Sequence, residues 1–413
     1  MSHSRSLDVR SLLVTVTGQD RPGVTLRLFE ALTGPGVEVL DLEQVVVRGN
    51  LTLCALVTAG ADEGAAMARI HTVGRELGLT VSCVAGTGDN AGRPDGRLAV
   101  TVLGHPLLPA AVSGLAAVIA AHATNIDRIR RLARDPVTAL ELDVSGAADP
   151  DALRRALAAE AAIRGVDVAV SPAGLGRRGR RLVVMDVDST LIQDEVIELL
   201  AAHAGRQREV AEVTERAMRG ELDFAESLHA RVACLAGLPA TVIEDVRAAV
   251  RLTPGAATLC RTLRRLGYTL AVVSGGFIEV VGPLAASLGI HHAEANRLEI
   301  VDGRLTGRVV GPVVDRAGKA EALRRFAAGE GLPLSRTVAI GDGANDLDML
   351  AAAGLGVAFN AKPLVRAQAD TAVNVPYLDT VLYLLGIPRA EIEDADAADA
   401  ADAASIEEAV GSR

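Results

Sequence analysis

A chain of 413 residues, 49% hydrophobic and 23% charged, holds enough apolar material for two or three packed domains. Its net charge of −10, its 2% aromatic content and its lack of tryptophan argue against a nucleic-acid scaffold and against stacking platforms for single strands. No apolar run reaches the roughly eighteen residues of a membrane span. The N-terminus carries no basic-then-apolar targeting pattern, and Cys54, Cys83, Cys234 and Cys260 are too scattered for a zinc site or a disulfide framework. A cytoplasmic protein with reduced thiols is therefore expected, with neither membrane nor nucleic acid as partner. Lys319 and Lys362 are the only lysines among 42 basic residues, so each invites an explanation.

In chain order, the first region predicts strand 12–17, helix 24–32, strands 37–47 and 51–57, helix 65–77 and strand 80–84. That order is βαββαβ, the ferredoxin-like layout. It recurs as strand 98–103, helix 110–121, strands 126–132 and 138–144, helix 150–162 and strand 166–170. Gly18 and Gly104 fall at equivalent loop positions, as do Asp41 and Asp127 at the same offset, which indicates an internal duplication.

Gly18-Gln19-Asp20-Arg21-Pro22-Gly23 joins the first strand to the first helix, and on this loop and the βαββαβ order each half resembles an ACT domain. The resemblance implies sheet-mediated pairing, hence a homodimer, and an amino-acid effector such as L-serine near Gly18, Asp20, Gly104 and Asn125. The second copy departs from the pattern, because Gly104-His105-Pro106-Leu107 lacks a glycine after the proline. Pairing alone is the other reading of both copies. Boundaries of 8–90 and 96–172 are expected for the two domains.

A Gly/Arg-rich linker over 173–181 reads as a solvated hinge rather than a phosphate-binding patch. From 182 to 386 strands alternate with helices: strand 182–185, a helical block forming a cap at about 194–255, strand 270–273, helix 277–288, strands 298–301 and 304–309, helix 319–330, strand 337–340 and helix 345–352. Such alternation indicates a doubly wound α/β sheet. The tail over 389–413 is rich in Ala, Asp and Glu without an apolar stripe and is expected to be disordered.

Chemistry concentrates where the strands end. Leu182–Met185 runs into Asp186-Val187-Asp188-Ser189-Thr190, two carboxylates two residues apart at the carboxyl end of a buried strand, where open sheets bind ligands. Alone, this pentapeptide reads equally as a capped turn. Ser274-Gly275-Gly276 follows the second strand and offers a hydroxyl and bare backbone to an anion. Lys319 opens a helix after Gly318, where ammonium and backbone amides converge. Gly341-Asp342-Gly343-Ala344-Asn345-Asp346 follows the last strand and offers carboxylates to a metal.

Together these four motifs resemble those of the haloacid dehalogenase superfamily. Asp186 to Glu195, Phe224, Arg231 and Val273 to Phe277 resemble its phosphoserine phosphatases, in the long form with two ACT domains ahead of a Rossmann-like sheet and helical cap. The resemblance implies Asp186 as nucleophile, Asp188 as proton donor, and Mg²⁺ held by Asp186, Asp342 and the Asp188 carbonyl. Ser274, Gly275, Lys319 and Asn345 would bind phosphate, with Thr190 and Asp346 in support. O-phospho-L-serine is the implied substrate, its ammonium matched by Glu195, its carboxylate gripped by Arg231 and the lid walled by Phe224. A carboxylate neighbour would raise the Asp188 pKa while Mg²⁺ and Lys319 oppose it, so the sequence leaves the sign open. Lys362 is read as structural support. The alternatives are a phosphatase for another small phosphomonoester and an amino-acid-sensing regulator with a vestigial catalytic half.

Overall fold

The computed structural model describes residues 9–60, 62–88, 96–174, 177, 179, 181–218, 221 and 223–411, and the chain forms two compact units, Met1–Arg93 and Pro94–Arg413. In the first unit β1 (Arg10–Gln19), α1 (Val24–Leu32), β2 (Val39–Val47), β3 (Asn50–Thr58), α2 (Glu63–Leu77) and β4 (Thr80–Thr87) build an antiparallel sheet of order β2-β3-β1-β4. Strand alternation sorts its faces: Leu12, Val14 and Val16 are buried, whereas Leu13 is 40% and Val84 58% exposed. One face thus packs on the helices and the other lies open.

The second unit begins with the same architecture. β5 (Leu98–Gly104), α3 (Pro109–Ala121), β6 (Asn125–Ala133), β7 (Thr138–Ser145), α4 (Pro150–Arg164) and β8 (Asp167–Pro172) form a sheet of order β6-β7-β5-β8. Here all seven residues of β5 are buried, so both sheet faces are covered. Leu103, Ala139 and Ala169 belong to the same buried cluster as Tyr383, Leu384 and Leu385 of the catalytic region. Hydrogen bonds cross the same seam: Thr371 Oγ1 donates to the Val168 carbonyl at 2.6 Å, and the Asn374 amide to Asp167 Oδ2 at 2.8 Å.

The catalytic region comprises β9 (Leu182–Met185), α5 (Val196–His203), α6 (Gln207–Met218), α7 (Phe224–Ala233), α8 (Val242–Ala249), α9 (Ala256–Arg265), β10 (Thr269–Phe277), α10 (Ile278–Ser287), β11 (His292–Val301) and β12 (Arg304–Val310). It continues with α11 (Arg316–Gly329), β13 (Thr337–Gly341), α12 (Leu347–Ala352), β14 (Leu355–Phe359), α13 (Pro363–Arg366), β15 (Thr371–Val373), α14 (Val381–Leu384) and α15 (Arg389–Gly411). The sheet order is β12-β11-β10-β9-β13-β14-β15, with β9 paired in parallel to β10 on one side and β13 on the other. Every residue of β9 is fully buried, as expected of a strand covered on both faces. The chain turns to opposite sides of β9, so the end of β9 is a topological switch point, the usual place for a ligand crevice.

Three expectations change. The linker is not a solvated hinge at Arg177 and Arg181, each 8% exposed; Arg178 and Arg180 lie outside the described residues. The tail forms a helix over Arg389–Gly411 rather than a disordered segment. It is fastened by buried Ile392 and by Asp396, which receives Arg261 and Arg265 each at 2.6 Å, anchors that a search for an apolar stripe does not detect. β11 also starts at His292, pairing in parallel with β10 before turning into the β12 hairpin.

Candidate active site

At the end of β9 the Asp186 carboxylate accepts the Val187 amide at 2.7 Å, which fixes it at the mouth of the crevice. The chain then folds into a wide turn with Ser189 at φ 56°, a strained conformation for a residue with a side chain. This turn swings Asp188 back over β10. Asp188 Oδ1 accepts the Val196 amide at 2.8 Å, and Oδ2 accepts the Ser274 hydroxyl at 3.1 Å.

Close approach explains the glycine pair after Ser274. A Cβ on Gly275 would lie 3.2 Å from the Phe224 ring, and one on Gly276 would lie 2.9 Å from Asp188 Oδ2. The Gly276 amide donates to Ser274 Oγ at 2.8 Å, while Asn296 Nδ2 holds the Gly275 carbonyl at 2.8 Å. Asn296 is 1% exposed and also receives the Val314 amide. A single asparagine within a strand carries no pattern that would mark this role.

Lys319 is completely buried and lies 2.8 Å from Asp186 Oδ1 and 2.7 Å from Asp346 Oδ1. The Asp346 Oδ2 accepts the Gly343 amide at 3.0 Å, and Thr190 Oγ1 donates to Asp342 Oδ1 at 3.3 Å. Carboxylate oxygens of Asp186, Asp342 and Asp346 lie within 4.8 Å of one another. Three acids around one ammonium leave a negative excess, and this hard oxygen set fits a divalent cation. The Asp188 carboxylate is not in this group; its oxygens face Val196 and Ser274.

These residues surround a pocket of about 310 Å³. Asp186, Asp188, Gly275, Asp342 and Asn345 line it together with Glu195, Phe224 and Arg231 of the cap. An Asp223–Glu226 capping box starts α7 and sets Phe224 in its first turn. Glu195 Oε1 accepts the Ser189 hydroxyl at 2.9 Å. Arg231 bonds only weakly within its helix, from Nε to the Ser227 carbonyl at 3.4 Å, which leaves its terminal nitrogens for a ligand. Lys362 also lines the pocket, and Lys319 is joined to the pocket wall through Asp186 at 2.8 Å; the rarity of lysine was the available signal.

Burial dominates the electrostatics. It raises the Asp188 pKa, with bonds from Val196 and Ser274, and the charges of Lys319 and Arg231, acting against it; desolvation, not the neighbouring carboxylate, is the cause. Asp186 is pushed well up, first by burial and then by Asp346, against the pull of Lys319. Burial and Asp346 bring Asp342 to about 6. Burial opposes the Lys319 charge, but Asp186 and Asp346 outweigh it and hold the ammonium above its ordinary value. Arg231 is lowered by burial.

Burial, then Asp188, pushes Glu195 up to about 7. A carboxyl raised in this way favours the fold while protonated, a contribution present below its unfolded pKa and lost as pH rises through about 7. Glu195→Gln is therefore expected to stabilise the metal-free protein at pH 8 by on the order of 2 kcal/mol, the gain disappearing toward pH 4. Urea unfolding across that range checks it, and a gain independent of pH would contradict it.

The regulatory candidates lie outside this pocket. In the first unit the Asp20 amide donates to the Gly49 carbonyl at 2.8 Å, and a Cβ on Gly18 would strike Leu79 at 2.6 Å. A cavity of about 110 Å³ in that unit is lined instead by Leu32, Thr33, Val37 and Arg69 among others. In the second unit Asn125 is exposed and donates to Asp127 at 2.8 Å, while Gly104 is buried against Leu107.

Residues 183–351 match the haloacid dehalogenase-like hydrolase family, and residues 10–84 and 98–171 each match an ACT domain. A phosphoserine phosphatase of Streptomyces coelicolor is 64% identical, with 96% of this chain and 97% of the relative aligned. One from Mycobacterium tuberculosis is 55% identical over 94% and 96%. Among solved structures, a probable phosphoserine phosphatase from Vibrio cholerae, unliganded, is 37% identical with a TM-score of 0.57, covering 70% of this chain and 86% of that one. Among the described residues no helix is long and apolar enough to cross a membrane. With such identity over nearly the full length of these relatives, and with its strand-end carboxylates gathered in one pocket, the chain belongs to the phosphoserine phosphatase family of haloacid dehalogenase-like hydrolases.

Proposed function

We propose that the chain hydrolyses O-phospho-L-serine to L-serine and phosphate through an aspartyl phosphate on Asp186, the last step in making serine. The observation that carries this reading is one pocket lined at once by Asp186, Asp188 and Gly275, suited to a phosphoryl group, and by Glu195 and Arg231, suited to an ammonium and a carboxylate. In the first step Asp186 forms a bond to phosphorus as the ester bond breaks, and Asp188 gives its proton to the departing serine oxygen. Its raised pKa suits that duty. In the second step Asp188 takes a proton from water, the water oxygen bonds to phosphorus, and the acyl phosphate bond breaks to free Asp186. Ser274, the Gly275 amide, Lys319 and Asn345 are assigned to the phosphoryl oxygens, with Thr190 and Asp346 fixing Asp342 and Lys319. Lys362 adds a further cation at the pocket.

Asp186 and Asp342, with the Asp188 carbonyl and the neighbouring Asp346, are assigned to Mg²⁺, which when bound supplies positive charge that keeps the crowded carboxylates ionised. Chelation is expected to abolish phosphate release and added Mg²⁺ to restore it; activity undiminished in chelator would reject the metal.

The carboxylate of phosphoserine is assigned to Arg231 and its ammonium to Glu195. Arg231→Ala is expected to lower kcat/KM for O-phospho-L-serine roughly 10–100-fold, mainly through KM, while sparing esters that lack a carboxylate. Equal losses on both classes would favour the reading of another small phosphomonoester as substrate. The reading includes a cytoplasmic homodimer, supported by the open apolar face of the first sheet at Leu13, Val45 and Val84. It also includes L-serine or another amino acid acting at the ACT loops that carry Gly18, Asp20, Gly104 and Asn125. Sedimentation, and activity measured with added serine, test these two parts.

A further inference from the structure

A third cavity, of about 290 Å³, lies at the seam between the second ACT domain and the catalytic sheet. Its lining brings together four arginines, Arg154 of α4, Arg177 and Arg181 of the linker, and Arg336 ahead of β13, with Asp370 as the one carboxylate among the described residues. Asp370 is partly engaged, accepting the Gly356 amide at 2.8 Å, and stands 3.8 Å from Arg154, which also pairs with Asp151 at 3.1 Å. The adjoining Glu141 is shared between Arg130, at 2.7 Å, and Arg177. Positive charge is therefore in excess.

Part of the excess, at Arg177 and Arg181, is buried, while Arg154 and Arg336 are half-buried. Arg177 is 8% exposed; it reaches Glu141 on β7 and the Leu384 carbonyl at 3.2 Å, yet among the described residues its Nε finds no hydrogen-bond partner, and neither does the buried Nε of Arg154. Buried donors without acceptors are uncommon and costly, most of all on a charged group. Burial lowers the Arg181 pKa; its partner Tyr268 acts against this, while the nearby Arg177 and Arg336 lower it further. Gly179 leaves room for Arg336, since a Cβ there would come within 3.0 Å of its Nη1. Guanidinium forks, with Ser171 and Ser335 beside them, suit a compact oxyanion, and the volume suits a small one.

We infer that this seam is a second anion site, binding a small phosphate-type dianion that ties the second ACT domain to the catalytic sheet. It is separate from the catalytic pocket. Arg336 precedes β13, which ends at Gly341 just before Asp342, and Gly354 and Leu355 begin the stretch that leads to Lys362. The two sites thus sit at opposite ends of the same strands, about 17 Å apart for a five-residue strand. The inference does not depend on the identity of the phosphatase substrate.

Equilibrium dialysis of the full-length protein against labelled inorganic phosphate, at constant ionic strength, tests it. The Arg154→Gln/Arg336→Gln variant is expected to lose about tenfold or more in affinity for one class of bound phosphate, with kcat and KM for O-phospho-L-serine unchanged. Ser274→Ala, altered in the catalytic pocket, is expected to keep that class. Loss in Ser274→Ala with retention in the arginine variant would place all bound phosphate in the catalytic pocket and overturn the site, as would equal binding in all three proteins. If the double variant loses turnover, Arg336→Lys is read instead: weaker phosphate binding with normal turnover supports the fork, and unchanged binding rejects it. Titration with glycerol 3-phosphate separates the sources of the anion. Tighter binding than phosphate at the seam identifies a phosphoryl metabolite, weaker binding the free ion, and no seam binding by either overturns the proposal.

Discussion

Asp186→Asn is expected to cut phosphate release from O-phospho-L-serine by at least about 10³-fold while leaving the fold intact. The amide keeps the shape of the carboxylate, and its oxygen can still accept from the Val187 amide and from Lys319, now at 2.7 and 2.8 Å. What disappears is the nucleophile. Lys319 retains Asp346 as its counter-charge, so no buried ammonium is left unpaired. Removing one of three crowded acids also relieves the repulsion that helps raise the Asp186 pKa, so the variant should resist urea at least as well as the parent when metal is absent. Rapid quenching with labelled substrate should trap phosphate on the parent protein and none on the variant. Turnover that persisted would move the nucleophile elsewhere and sink the aspartyl-phosphate mechanism.

The catalytic pocket was legible because its chemistry is local in sequence: β9, β10 and β13 are apolar runs that each deliver polar residues at their carboxyl ends. Relations across the fold were not. The cause of the raised Asp188 pKa is the packing of the cap and β10 around it, and no spacing of charges encodes that. Arg177 and Arg181 read as a solvated linker because composition describes the chain before domains pack, whereas their burial arises when the second ACT sheet meets the segment 371–385. β14 and β15 went unrecognised for a related reason. They are short, and the first is preceded by glycine-rich chain that reads as a turn. Lys362, which follows β14, accordingly reads from sequence as support, whereas it lines the pocket.

Lys319→Met should be the most damaging substitution to stability. Lys319 is wholly buried between Asp186 and Asp346, and removing one member of a buried charge group leaves the others uncompensated, at a cost of about 3–5 kcal/mol. The loss should depend on pH with a definite sign. Burial and Asp346 already raise the Asp186 pKa against the pull of Lys319, so without the ammonium it rises further. A carboxyl raised in the folded state stabilises while protonated, below its unfolded pKa, and that contribution is lost as pH rises through the folded value. The deficit relative to the parent should therefore be largest near pH 8 and shrink toward pH 5. Divalent cation should narrow it as well, since a ligand that binds only the folded acids stabilises in proportion to its affinity for them. Lys319→Arg should not restore the parent, because a planar fork does not fit where a compact ammonium is completely enclosed. Urea midpoints in chelator, then in Mg²⁺, across that pH range decide the matter: a deficit constant with pH and indifferent to the cation would mean that Lys319 acts by filling space, not by balancing charge.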